Sequence, residues 1–103
     1  MKNISKAYFY ADIELIKFLL YEIGLEEYID KLNIDKFEKY AENEHGNIRR
    51  VCCEQLYRIL VIIRFVIDEQ YRISGKIVSP IIQLASKIID SFILRYLDIT
   101  HLK

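Results

Sequence analysis

The sequence predicts an all-α fold, a small helical bundle of four main helices with a long central one, and three observations carry that expectation. Apolar residues recur at helical rather than alternating spacing in every long segment. The segment from Ile48 to about Arg72 has no breaker in it, and the three Gly and single Pro all fall at points where one periodic stretch gives way to the next. At 103 residues the chain has room for one core, so it reads as a single helical domain over 1–103.

The first helix is expected over roughly residues 5 to 23. Ile4, Tyr8, Ala11, Leu15 and Leu19 step by four, three, four and four, and Phe9, Ile13, Ile16 and Leu20 make a second seam beside them. Two seams imply that this helix touches two neighbours. Gly24 ends it as a left-handed residue would. A helical turn, "EEYIDKL", follows, and then a helix of about three turns in "IDKFEKYAENE", with Ile34, Phe37 and Ala41 as its apolar stripe. In "HGN", Gly46 can close that helix and Asn47 can cap the next. The central helix from Ile48 to about Arg72 would be roughly 37 Å long. "ISGKIVS" connects it to the last helix, which Ser79 caps and Pro80 starts, since proline at a first helical position has no amide to leave unsatisfied. That helix lines up Ile81, Ala85, Ile88, Phe92 and Tyr96, with Ile82, Ile89 and Ile93 alongside and Lys87, Asp90, Arg95 and Asp98 outside.

The central helix holds the densest stretch, "RILVIIRFVIDEQYR", and it is too short and too charged to be a membrane span. A span needs about 20 mostly apolar residues, whereas Leu56 to Ile67 contains Arg58 and Arg64. Winding at 100° per residue puts Ile48, Cys52, Leu56, Ile59, Ile62, Ile63, Val66 and Ile67 on a broad inward arc. The outer face alternates Arg50, Glu54 and Arg58, then Arg64, Asp68 and Arg72, each at i+4. Between them lie Tyr57, Val61 and Phe65, apolar bodies where water would otherwise meet the helix.

Composition bounds the function classes. Fifteen basic and fifteen acidic residues cancel, so no global field draws the protein to nucleic acid or an anionic membrane. Nineteen Ile, no Trp and more Lys than Arg match the drift of an AT-rich genome, as in a low-GC microbe, a virus or a mobile element. Asp12 and Glu14 interrupt what would be the apolar core of a signal peptide, which points to a cytoplasmic chain. The neighbours Cys52 and Cys53 point about 100° apart on a helix and read as small buried hydrophobes in a reducing compartment.

Chemistry finds little to build on. Glu42 and His45 form E-x-x-H, the spacing that places a carboxylate and an imidazole together in di-iron bundles, but such a site needs a second copy and more carboxylates. His45 near a helix C-terminus suits the dipole instead. His101 reads as solvated. A Cys–His nucleophilic pair lacks an orienting third group, and three Gly cannot build a phosphate loop. No catalytic residue, metal or cofactor is expected. A short helix, a glycine turn and "NIRRV" can be read as helix-turn-helix, yet Glu42 replaces the motif's usual Ala and the second helix is too long. A histone-like short-long-short pattern over 34–95 fits a neutral chain with a three-residue first loop poorly.

The expectation is therefore a non-enzymatic protein–protein interaction or regulatory module, self-associating as a homodimer through Tyr57, Val61 and Phe65 with Arg58 and Arg64 at the rim. The alternative is a nucleic-acid-associated helical protein using Asn47, Arg49 and Arg50. No membrane partner is expected.

Overall fold

The computed structural model describes residues 3–32, 47–74 and 80–100. Among them are three α-helices, α1 (Lys6–Glu22), α2 (Arg50–Ser74) and α3 (Pro80–Thr100), and a short 3-10 helix, η1 (Glu26–Leu32). The all-α bundle expected from the periodicity is what forms. The expected helix over 34–44, with Glu42, His45 and Gly46, lies outside the described residues, as do the connection at 75–79 and His101.

Local chemistry sets the ends of α1. Ser5 is extended (φ −71°, ψ 157°) and its Oγ accepts the Tyr8 amide at 3.3 Å, satisfying one of the amides that every helix start leaves over. At the far end Gly24 takes φ 79°, its N–H donating to the Tyr21 carbonyl at 3.3 Å while the Leu25 N–H donates to the Leu20 carbonyl at 2.8 Å. This crossed pair is a Schellman motif. Leu20 and Leu25, the two residues it brings together, are both fully buried.

The second long helix begins later than its sequence suggests. Ile48 donates its amide to the Ile4 carbonyl at 2.9 Å, and Ser5 and Asn47 form an isolated antiparallel bridge. The backbone at 47–48 is thereby drawn away from the helix, and the first helical carbonyl is that of Arg49, which accepts from the Cys52 and Cys53 amides. Asn47 stands two residues outside the position from which it would cap.

α2 and α3 pack side by side and antiparallel. Arg50 donates to the Thr100 carbonyl at one end, and Arg64 reaches Asp90 further along. α1 lies closest to η1 and α3, and η1 also touches α2. α3 meets both α1 and α2. The core gathers Phe9, Ile13, Ile16 and Leu20 from α1, Leu25 and Leu32 around η1, Cys52, Cys53, Leu56, Leu60, Ile63 and Ile67 from α2, and Ile89, Phe92, Tyr96 and Ile99 from α3. The second seam of α1 is thus core, as its spacing implies. The first seam splits, with Ile4 and Leu19 buried and Tyr8, Ala11 and Leu15 exposed.

The buried arc of α2 is turned relative to the expected one. Cys53 and Leu60 are fully buried, Ile59 and Val66 partly so, and Ile62 is 47% exposed. α2 is apolar around more than half its circumference, so its own pattern does not fix which side faces inward; the position of α3 does. The Cα extents are 49 × 27 × 17 Å. With helix axes about 8–10 Å apart, 17 Å is two helix layers, and a slab of that depth leaves outer helix faces in water.

Candidate interaction surface

The geometry of one ion-pair cluster locates the surface. Arg64 Nε donates to Asp90 Oδ1 at 2.9 Å across the helix pair, and Arg64 Nη1 donates to Asp68 one turn on. Partial burial works against the Arg64 charge, but the two carboxylates outweigh it and hold the guanidinium above its ordinary range. The cluster pins one stripe of α2 to one stripe of α3. Val61 stands three residues before Arg64 and Leu94 four after Asp90. Because the helices run in opposite directions, both residues lie one turn from the cluster on the same side. Val61, Phe65 and Leu94 are 41%, 63% and 66% exposed. Arg58 is exposed beside them, and Asp68 and Asp90 are exposed at the far edge.

Of the line Tyr57, Val61 and Phe65, the structure therefore leaves two members in solvent and turns the third inward, since Tyr57 is half-buried and packs on the core. Ile62 does the reverse and joins the outer face. Leu94 was missed by the sequence reading, although an isolated leucine among Lys87, Asp90, Ser91 and Asp98 on a polar face is a legible signal.

Asn47, Arg49 and Arg50 stand at and just before the start of α2. Asn47 is half-buried in its bridge to Ser5. Arg50 is engaged with the Thr100 carbonyl and with Glu54 at 3.5 Å, while Arg49 is exposed.

A second polar cluster joins α1 to α3. Asp12 is buried in α1 and its Oδ2 accepts both the Tyr96 hydroxyl at 2.7 Å and Arg95 Nη1 at 2.9 Å. The Tyr96 ring meets Phe9 edge to face at 6.1 Å, and the Arg95 guanidinium lies over Phe92 at 5.5 Å. Burial first, then the hydrogen bond to Asp12, pushes the Tyr96 hydroxyl far above its ordinary range. Beside the cluster is a pocket of about 330 Å³ lined by Asn3, Ile4, Ser5, Tyr8 and Arg95.

The two thiols are buried. Burial, and then the neighbouring Cys52 and Glu54, pushes Cys53 up to about 12, and burial raises Cys52 against the opposing pull of Arg49. In both, burial disfavours the thiolate. Among the described residues no three His, Cys, Asp or Glu side chains converge where a metal ion could sit, and no described helix is long and apolar enough to cross a membrane.

The chain matches no protein-family model, and neither curated proteins nor solved structures give a significant match.

Proposed function

We propose that the chain is a non-enzymatic protein–protein interaction module that self-associates through the paired outer faces of α2 and α3. The observation behind this reading is the exposed trio Val61, Phe65 and Leu94 set against the Arg64–Asp68–Asp90 cluster, an apolar centre inside a charged rim. Each such side chain contributes on the order of 1.5–3 kcal/mol when fully removed from water, before the ordering costs of association are subtracted. Bases at Arg58 and Arg64 and acids at Asp68 and Asp90 let a two-fold mate answer each charge with its opposite. Two buried thiols suit a reducing, cytoplasmic setting.

Sedimentation of the wild type and of Val61→Glu tests the reading. The variant is expected to stay helical, because Val61 faces solvent, while the mass of the associated species falls. An unchanged mass in Val61→Glu would remove the patch from the interface. Binding to mixed DNA and RNA that weakens steeply with salt would favour the nucleic-acid alternative instead.

A further inference from the structure

The outward face of α1 carries a separate apolar stripe. Tyr8, Ala11, Leu15 and Phe18 follow one another at three, four and three residues, the spacing of a seam between paired helices. All four are exposed, Tyr8 at 70% and Phe18 at 58%. Among the exposed residues of α1 only Glu14 and Glu22 are charged, and Glu14 is paired with Lys17 at 3.4 Å. A capped start and a Schellman stop already hold the helix in shape, so little ordering remains to be done on docking. At its N-terminal end the stripe runs into the 330 Å³ pocket, since Tyr8 walls both. Arg95 lines the pocket too, its side chain 40% exposed while it holds Asp12.

The two ends of this face carry opposite charge. Arg95 stands at its start; Glu22, followed by the exposed Glu26 and Glu27, stands at its end. A parallel neighbour of the same sequence would set like against like, whereas an antiparallel one sets acid against base. The antiparallel register that sets Ala11 opposite Phe18 also brings Glu22 opposite Ala7, next to Tyr8 at the pocket, and in it the smallest residue of the stripe makes room for a large ring. By two-fold symmetry the fit occurs twice.

We propose that α1 is a second self-recognition surface, distinct from the α2–α3 patch: the α1 helix of another copy lies antiparallel along Tyr8, Ala11, Leu15 and Phe18 and seats its Glu22 in the pocket beside Arg95. Aromatic side chains bury about 150–250 Å² each when covered, and with Leu15 and the pocket rim the face offers on the order of 600 Å² per copy, at the low end for a specific pair. With both surfaces in use each chain is bivalent and the assembly exceeds a dimer.

Disulfide trapping in the full chain tests this. Ala11→Cys and Phe18→Cys are made separately; both positions face solvent, and the native thiols are buried and do not compete. On mild oxidation a mixture of the two variants, each verified as helical by circular dichroism, is expected to give the Ala11→Cys–Phe18→Cys heteropair, and neither variant alone to cross-link. Cross-linking of Ala11→Cys to itself means a parallel contact and overturns the proposal, as does a mixture that gives no heteropair. Adding Glu22→Arg is expected to lower the yield about tenfold by placing like charges together; an unchanged yield takes Glu22 out of the pocket and overturns its seating. Val61→Glu is expected to leave the heteropair intact even where it lowers the assembly's mass, so the two surfaces fail or stand separately. A heteropair lost with Val61→Glu would overturn their independence.

Discussion

Tyr96 donates its hydroxyl proton to Asp12 over 2.7 Å, a bond between residues 84 positions apart that both ends bury. It joins α3 to α1 at the height where Phe9 meets the Tyr96 ring. Tyr96→Phe keeps the ring and removes the donor, leaving Asp12 with Arg95 alone. A lost hydrogen bond to a buried charge costs about 2 kcal/mol. Urea unfolding should show that loss, and Asp12→Ala should cost more, because it strips the acceptor from Tyr96 and Arg95 together.

The same burial makes stability depend on alkaline pH. Tyr96 is raised above its unfolded value near 10, and Cys53 rises from 9.0 to about 12. A group whose folded value is raised binds its proton more tightly when folded. Its contribution is complete below the unfolded value and is lost as pH climbs toward the folded one. Stability from these groups should hold up to about pH 9, fall first through Cys53 and then, above about pH 10, through Tyr96. In Tyr96→Phe the steeper part above pH 10 should flatten. An equal slope in both proteins would contradict the assignment.

Gly24 tests the end of α1. A Cβ added there meets nothing within 4 Å, so Gly24→Ala carries only the conformational cost of φ 79° in a residue with a side chain. That cost is about 1 kcal/mol. A shift of the denaturation midpoint with an unchanged slope is the expected result.

Tyr57 and Phe65 lie two turns apart on α2 and should separate folding from association. Tyr57→Ala removes a ring packed on the core and should cost about 2 kcal/mol of folding stability, measured at protein concentrations too low for association. Phe65→Ala removes a 63% exposed ring and should change folding by less than about 0.5 kcal/mol while weakening association.

How much of this was legible follows from which contacts are local. The caps of α1 are written within a few residues of Ser5 and Gly24, and the helical period is written in each segment, so the fold class and the first helix can be read directly. The start of α2 cannot, because the Ile48 amide goes to Ile4, a partner no local pattern announces. Nor can its inward face: Leu60 and Ile62 are equally apolar, and only the placement of α3 buries one and exposes the other. Asp12 interrupts an apolar seam, and that acid on an inward position could have been taken as the sign of a buried partner. On the candidate surface, Val61 and Phe65 follow from the α2 pattern alone, whereas Leu94 joins them only once the α2–α3 register is known.

The meeting of Ile4 with Ile48 and of Arg50 with Thr100 has a topological consequence. Ile48 and Arg50 stand two positions apart in the chain, so Ile4 and Thr100 gather at one pole of the molecule. The stretch 48–50 is thereby tied on one side to the residue before the cap of α1 and on the other to the last turn of α3. It cannot fray without releasing both, so the start of α2 acts as a clasp between two helices that are distant in sequence.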